Sequence, residues 1–500
     1  MASIYELIAS AVVDGRLPRG FELPSLTNAE NELRWADGAL DGVGMFHMNR
    51  PELSDDDRAL MEKAVRAAGD GDFDGADRLF AELGERVQAL FVIDDLQHFI
   101  VDNQKALNPN KIFGCARHLI TESANRESVK FGLSMLELFG MDRREDIKEK
   151  VRTLGLSDEF TLFAIFVMLK WQNANDEIFR LAKKVRGWGR IHAVERLEPE
   201  TEEIRHWLLT EGCDNDVMPA YSALTCWQKS GAEDVLRRGP SQEEFKGLLM
   251  IFDGLVDEGP VAGISQLEGI DGLVSPLLDA AEGKELTIED YEVFYHIWCM
   301  YREDGYEQNQ VGVRLKKLLL TYDCRWKLLE ALKNGRCYDM AADTGVDVKP
   351  YALEALRADP VGRAHLCMYL MDDPGLRAET LQIFRSGLPL EELKTTPADS
   401  LGLGEDYPRT SALEFLMQEL RNWPLEGIEF VETGLRCAPV RTRNGALYVL
   451  ELWVEAEGKP LAELLPGTWT LLKDLREVEP VDEVRAKMDK LIEGAVSFEE

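Results

Sequence analysis

Three aspartates at alternate positions, followed by a glycine, occupy the stretch DGDFDGADRLFAEL (70–83). An EF-hand calcium loop needs oxygen ligands at positions 1, 3 and 5, glycine at 6 and a bidentate glutamate at 12. The first half of this pattern fits, with Gly75 at position 6, but position 12 is Ala81 and position 9 is Arg78. The stretch therefore predicts a corner between two helices at which the aspartates cap a helix, with calcium as the alternative.

A second pattern that could bind a metal is Glu203-x-x-His206, the carboxylate–histidine spacing of a di-iron helical bundle. Such a site requires a second copy and two more glutamates. Asp95-x-x-His98 is a poor second copy, and H-E-x-x-H does not occur in the sequence. We therefore predict no metal site.

Patterns for organic cofactors are also incomplete. The segment FVETGLRCAPVR (430–441) resembles a haem-thiolate loop, but the spacing around Cys437 is wrong. The glycine-containing segments 42–47, 187–192 and 402–407 each lack the third glycine of G-x-G-x-x-G, and no P-loop is present. The residues give no evident cofactor.

The most distinctive peptide is RGWGRIHAVERLEPETEEIRHWLL (186–209). Trp188 lies between two glycines, and Arg190 and His192 follow at the start of a helix, so the three side chains could face a groove and bind a ligand. The alternative is that Trp188 fills the gap between successive helix pairs, as large aromatic residues at helix corners commonly do.

Helical periodicity dominates the chain, and alternating strand patterns are almost absent. Hydroxyl residues followed three positions later by a carboxylate predict helix starts, and glycines after apolar runs predict helix ends. The segments 256–272 and 395–411 are irregular and predict loops. The start pairs are Ser54/Asp57, Ser241/Glu244 and Thr287/Asp290, and the stop glycines are Gly155, Gly187, Gly212, Gly239 and Gly458.

A short pattern recurs within these helices: arginine, then small or apolar residues at three and four positions on, then an apolar residue at seven. It occurs as RIHAVERL from Arg190 and RNGALYVL from Arg443, with weaker copies from Arg363 and Arg377. These positions line one helix face, and we expect the arginine to face solvent or a neighbouring turn. The pattern is typical of the inner helices of HEAT-like repeats.

These observations predict an all-α fold, an irregular HEAT- or tetratricopeptide-like right-handed α-solenoid. We expect an N-terminal helical block over 1–105 and a repeat array over 106–500. The formal charge of the 500 residues is 57 − 91 = −34, and no basic stripe stands out. Such an acidic surface disfavours nucleic acid and anionic membranes as partners and favours a basic one.

Three features of the sequence bear on the cellular location: the N-terminal segment, the longest apolar run and the spacing of the cysteines. The first 20 residues have no basic residue before their apolar stretch and predict an amphipathic helix. The most apolar run, 160–169, is half the length needed to span a bilayer. The eight cysteines are scattered without a C-x-x-C pair. Scattered thiols in so long a chain predict a cytoplasmic protein.

Three segments, SLTNAENELRWADGALDGVGMFH (25–47), the peptide 186–209 and GCDNDVMPAY (212–221), resemble a group of bacterial all-helical HEAT-like proteins catalogued as limonene hydroxylase. The resemblance implies oxidation of the monoterpene limonene to carveol or perillyl alcohol, and onward to carvone or perillyl aldehyde with NAD. The resemblance does not assign a catalytic role to any residue of this chain.

Two functions are therefore expected. The first is an interaction scaffold that binds a basic protein or peptide, with Trp188, Arg190 and His192 in its groove. The alternative is the monoterpene oxidoreductase, for which Trp188, Phe163, Phe166 and Trp171 would line an apolar gap that holds limonene.

Overall fold

A computed structural model describes residues 2–24, 35–141, 143–404 and 406–494. Residues 25–34, the first part of the segment 25–47 that resembles the limonene hydroxylase group, lie outside these ranges. The chain divides into two compact units, Met1–Leu319 and Leu320–Glu500. The predicted boundary near residue 105 falls inside the first unit, and whether it separates two domains stays a prediction.

The described residues fold into α-helices and contain no β-strand, with short 3-10 helices at Ile264–Gln266 and Ala364–Tyr369. Within the described ranges, no helix is long and apolar enough to cross a membrane. In the first unit the helices are α1 Ile4–Ala11, α2 Ala39–His47, α3 Asp55–Asp70, α4 Phe73–Gly84, α5 Ala89–Asp102, α6 Pro109–Glu122, α7 Arg126–Leu136, α8 Glu145–Leu154, α9 Asp158–Met168, α10 Ala174–Ala182, α11 Gly187–Arg196, α12 Glu202–Thr210, α13 Ala220–Ser230, α14 Ala232–Arg238, α15 Gln242–Val256, α16 Asp271–Ala281, α17 Ile288–Glu303 and α18 Gln310–Leu319. In the second unit they are α19 Tyr322–Lys333, α20 Tyr338–Asp343, α21 Lys349–Ala358, α22 Pro374–Gly387, α23 Leu390–Leu393, α24 Pro408–Leu420, α25 Ile428–Leu435, α26 Val440–Glu457, α27 Leu461–Leu464, α28 Pro466–Arg476 and α29 Asp482–Glu493.

The predicted helix starts are confirmed by their capping hydrogen bonds. Ser241 and Thr287 each form a reciprocal capping box with the acidic residue three positions on, and Ser54 Oγ accepts from the amide of Asp57. The stop predicted at Gly187 is wrong, because this glycine begins α11. Its φ of +29° is a value that residues with a side chain seldom adopt, so the glycine serves the turn into the helix.

The aspartate-rich stretch is a helix corner, as predicted. Helix α3 ends at Asp70, Gly71 follows with φ of +89°, and α4 begins at Phe73. Asp72 Oδ1 accepts from the amide of Gly75 at 2.9 Å and so caps α4. A carboxylate used in this way satisfies an amide that the first turn leaves free.

Alternate helices of the first unit stack in sequence order. Helix α7 packs on α9, α9 on α11, α11 on α13, α13 on α15 and α15 on α17, while helices such as α12 and α14 pack beside them. In the second unit α24 packs on the next helix but one, α26, whereas α26 packs on α29, the third helix after it. Packing on the next helix but one is the arrangement of an α-helical repeat array. The prediction of an all-α, solenoid-like fold is confirmed.

The recurring arginine takes the same helix position in three copies. Arg190, Arg377 and Arg443 are each the fourth residue of their helices, α11, α22 and α26. Each is buried and donates to a backbone carbonyl five or six residues earlier, over 2.9–3.0 Å. Of the two expected orientations, solvent is wrong and the neighbouring turn is right, because the side chain turns inward to hold the turn before its helix.

The apolar positions of the pattern behave as predicted. Three residues after each arginine the side chain is fully buried, at Ala193, Thr380 and Ala446. The residues four and seven positions on are buried as well. The fourth copy departs from the pattern, because Arg363 precedes a 3-10 helix instead of standing inside an α-helix.

Candidate functional site

The three residues predicted to face a groove lie on α11, inside the first unit. Trp188, Arg190 and His192 retain only 7%, 4% and 1% of their exposure. His192 is enclosed and does not face a groove, whereas Arg190 borders a cavity. That these residues bind a ligand stays a prediction. Helix α11 is covered by α9 and α13 in the stack and by α10 beside it, so little of its surface is left open.

Trp188 is a buried member of an aromatic layer, in agreement with the packing alternative. Its ring lies 4.8 Å from that of Tyr221 and 6.1 Å from that of Phe46, between centroids. Gly42 on α2 lets that helix approach, because a Cβ there would lie 2.2 Å from the indole. Aromatic rings at these separations pack favourably, so the layer holds α2 against α11.

His192 lies in the same layer, with its ring 6.3 Å from that of Phe46. Neither ring nitrogen has a hydrogen-bond partner among the described residues. Burial, with a smaller effect from Arg196, lowers the pKa of His192 to about 3, so the imidazole is neutral near pH 7. A neutral, enclosed ring of this kind packs as an aromatic residue and does not exchange protons with solvent.

Arg190 is the one member of the predicted trio that reaches an open cavity. Its Nε donates to the carbonyl of Val185 at 3.0 Å, and its Nη1 donates to the carbonyl of Asp214 at 2.7 Å. Its Nη2 donates to no residue that the structure describes. The cavity, called the Arg190 pocket here, has a volume of about 400 Å³ and includes residues of the 16–21 segment in its lining.

The lining of the Arg190 pocket is rich in cations for so acidic a chain. Arg186 lies 3.3 Å from Asp216, and Lys183 lies 3.3 Å from Glu203. Three further cations, all exposed, have no ion pair or hydrogen bond from their side chains to any described residue. These are Arg16, Arg19 and Lys184.

Two residues between α8 and α9 form another wall of the Arg190 pocket. Ser157 precedes α9, and its buried hydroxyl makes neither a capping bond nor any other hydrogen bond to a described residue. Asp158 Oδ1 accepts from the amide of Gly189 at 3.0 Å. Burial, with help from the neighbouring Asp37 carboxylate, raises the pKa of Asp158 to about 7.

A buried charge network that the sequence patterns did not indicate lies next to these elements. Lys130 Nζ lies 2.6–2.7 Å from carboxylate oxygens of Asp41, Glu127 and Glu159. Burial raises the pKa of Asp41 to about 7 against the effect of Lys130, and the three carboxylates raise that of Lys130 despite its burial. The network joins α2, α7 and α9. The Lys130 ammonium occupies its centre, the position that a metal cation would take among three carboxylates.

The second unit has a different kind of opening, between α24 and α26. This cavity, called the α24–α26 groove here, has a volume of about 390 Å³. Phe415 and Tyr448 line it and are 41% and 52% exposed. Within 4 Å of a Cβ placed on Gly445 there is only the side chain of Met417, so the wall of the groove is open at this point. Arg441 Nε lies 2.7 Å from Glu414 at one end.

The residues considered for metal and haem sites have other partners. Glu203 pairs with Lys183, and His206 lies 3.7 Å from Glu243. Asp95 binds Arg50 and Arg58. In the described part of the chain, no group of three or more histidine, cysteine or acidic side chains could hold a metal ion.

Cys437, the residue of the haem-like segment, is fully buried. Burial raises the pKa of its thiol to about 12, with a further contribution from Glu414. A thiol in this state is a poor ligand for iron, which binds the thiolate.

Three of the four aromatic residues proposed to line a limonene gap lie close to cations. Lys130 Nζ lies 5.6 Å from the ring of Phe163, Arg196 lies 5.3 Å from that of Phe166, and Lys148 lies 4.7 Å from that of Trp171. Each ring thus packs beneath a different cation.

Comparison with known proteins gives no family for this chain. No protein-family model matches it, and no curated protein matches it. A solved structure described as a "Circular tandem repeat protein with novel repeat topology and enhanced subunit contact surfaces" aligns with 88% of this chain and 94% of its own, at 15% identity and a TM-score of 0.12. At that TM-score the alignment adds nothing, and the fold assignment depends on the helices themselves.

Proposed function

We propose that this protein is a helical-repeat scaffold that binds a basic peptide segment of a protein partner in the α24–α26 groove. The observation that carries the proposal is the exposure of Phe415 and Tyr448 on facing helices. Exposed aromatic residues beside a concave surface are common anchors for peptide side chains. Helical repeats frequently use such grooves to bind extended segments.

The charge of the chain supports a basic partner. A formal charge of −34 creates a long-range field that attracts cationic segments and repels acidic ones. The groove wall itself is mainly apolar, and its Arg441 is already paired with Glu414. We therefore assign affinity to the insertion of an apolar side chain between Phe415 and Tyr448, and partner preference to the surrounding field.

Selection from a library of random peptides of about 12 residues tests this proposal without knowledge of the partner. The full chain should enrich peptides that combine lysine or arginine with an aromatic or aliphatic residue. The double variant Phe415→Ala/Tyr448→Ala should bind an enriched peptide about 10-fold or more weakly, because both anchors are lost. Added salt should weaken binding by the wild type.

Tyr322→Ala is the matched control, because Tyr322 is 85% exposed in the same unit and does not line the groove. It should leave peptide binding unchanged. No enrichment, enrichment of acidic peptides, or equal losses in the control and the double variant would each contradict the proposal. Thermal unfolding of all three proteins checks that the fold is intact.

The monoterpene oxidoreductase with NAD, which the sequence resemblance implies, stays a prediction. Three of the four aromatic rings expected to hold limonene already pack under cations. Incubation of the purified protein with limonene, NADH and dioxygen, and separately with carveol and NAD, tests it by product analysis. Robust formation of carveol, or of carvone with NADH, would favour this function over the scaffold.

A further inference from the structure

We propose that the Arg190 pocket binds the phosphate group of a small metabolite. The proposal concerns the first unit and does not depend on peptide binding in the second. It begins from a difference among the three copies of the helix-start arginine, all of which hold the preceding turn in the same way.

The other two copies hold a carboxylate that Arg190 lacks. Arg443 makes two bonds to the oxygens of Glu479, both 2.7 Å long. Arg377 Nε donates to Glu426 at 3.1 Å. The carboxylate of Asp214 lies 3.9 Å from Arg190 Nη1, beyond hydrogen-bond distance, and is half exposed. A buried guanidinium without a bonded anion has unused capacity for one, because its planar fork suits two oxygens of a carboxylate or phosphate.

Three exposed cations line the same cavity as this guanidinium. Arg16, Arg19 and Lys184 line the same pocket and have no side-chain partner among the described residues. On a chain of formal charge −34, acidic partners for surface cations are abundant. Three such cations nevertheless line this one concave site without a partner among the described residues.

The acidic residues of the pocket are already engaged. Asp37 lies 2.8 Å from Arg126, Asp216 lies 3.3 Å from Arg186, and Asp158 accepts from the amide of Gly189. The unused groups in the pocket are thus cations and one hydroxyl. That hydroxyl belongs to Ser157, at the start of the 11-residue helix α9.

Phosphate fits this set of donors better than a single carboxylate does. Arg190, Arg16, Arg19 and Lys184 together supply more positive charge than one carboxylate neutralises, whereas a phosphate monoester carries nearly two negative charges near pH 7. Arginine and lysine are the side chains that most often bind phosphate oxygens. A volume of about 400 Å³ leaves room for the organic part of a small metabolite.

Calorimetric titration of the full chain with inorganic phosphate and with pyrophosphate tests the proposal. Pyrophosphate should bind with a Kd of about 1 mM or tighter and phosphate more weakly, because the diphosphate meets more cations. Sulfate and citrate, titrated in parallel, should bind more weakly than pyrophosphate. Tighter binding of citrate would assign the pocket to carboxylates and overturn the phosphate proposal.

The double variant Arg16→Glu/Lys184→Glu should weaken pyrophosphate binding about 10-fold or more, since two of the four unused cations change sign. Both residues are exposed, so the variant keeps the core of the unit. Lys63→Glu/Arg78→Glu is the matched control, because it changes the net charge equally at two exposed sites outside the pocket.

Two results would overturn the proposal. One is an equal loss of binding in the pocket variant and the control, which would show non-specific attraction. The other is the absence of heat from pyrophosphate up to about 10 mM, a concentration above the expected Kd. Arg190→Lys adds a separate measurement, because it keeps the charge and removes the fork. Arg190→Lys should weaken pyrophosphate binding about as much as the double variant Arg16→Glu/Lys184→Glu does.

Discussion

Arg190 in the first unit and Arg443 in the second stand at the first position of the same eight-residue pattern, and both hold the turn before their helix. Their second partners differ. Arg443 is fully buried and bonded to the equally buried side chain of Glu479. Arg190 faces a cavity of about 400 Å³ and has no carboxylate within hydrogen-bond distance.

The difference shows that an arginine at the same helix position can serve only the fold in α26 and remain available for binding in α11. A buried ion pair that satisfies every donor leaves no part of Arg443 free to bind a ligand, at the cost of removing two charges from water. The guanidinium of α11 is positioned by the same turn contact but keeps a free edge. Burial lowers the pKa of Arg190, with Asp214 acting against it, and an arginine remains charged under these conditions.

Removal of each arginine is the strongest test of this comparison. Arg443→Met should lower the free energy of unfolding by about 3–5 kcal/mol, because Glu479 is left buried without its cation. Arg190→Met should cost about 1–3 kcal/mol, because carbonyl groups lose a donor but no buried carboxylate loses its partner. Urea unfolding of both variants measures the difference.

The double variant Arg443→Met/Glu479→Leu is the control for the first of these effects. It should recover most of the lost stability, since well-packed apolar residues can replace a buried ion pair. A larger loss from Arg190→Met than from Arg443→Met would contradict the view that Arg190 is the incompletely bonded copy.

The small residue three positions after each arginine tests whether the two regions pack alike. Ala193→Asp and Ala446→Asp should each destabilise by about 3 kcal/mol or more, because both positions are fully buried and the change encloses a carboxylate where helices pack closely. Ala378→Asp, on the exposed side of α22, is the control and should have little effect. Tolerance of Ala193→Asp alone would show that α11 is packed less closely than α26.

The pH dependence of stability provides the smallest expected effect. The pKa of Asp158 is raised to about 7 in the folded state, from 3.8 without the fold. The folded chain therefore retains a proton that the unfolded chain has released. The stabilisation is complete below about pH 4 and is lost as the pH rises through about 7.

Asp158→Asn should remove this dependence while keeping an oxygen that accepts from Gly189. At pH 8 the variant should be more stable than the wild type by about 1–3 kcal/mol, and near pH 4 the two should be similar. Urea unfolding at both pH values measures this, with Asp56→Asn as an exposed control. The same difference from wild type at both pH values would contradict the raised pKa.

The amino-acid sequence by itself determined the helical fold and many of its boundaries. Ser241 with Glu244 and Thr287 with Asp290 specify helix starts through bonds within four residues, and so does Asp72 at the corner first compared with a calcium loop. The apolar positions after Arg190 and Arg443 also follow from spacing, because one face of a helix must be covered. Local bonds and periodicity can be recognised without knowledge of distant neighbours.

Tertiary structure alone decided which polar residues are enclosed and which remain free. Trp188 and His192 are buried because α2 and α13 bring Phe46 and Tyr221 against them. Besides Glu127, three residues before it on α7, Lys130 acquires the carboxylates of Asp41 on α2 and Glu159 on α9, which no sequence spacing relates to it. Arg190 and Arg443 are alike in sequence, but only Arg443 is bonded to a distant carboxylate, that of Glu479, 36 residues later in the chain. This bond occupies the Arg443 guanidinium, whereas the Arg190 guanidinium stays open to the cavity. Long-range packing sets desolvation and charge pairing, and these determine whether a side chain can bind a ligand.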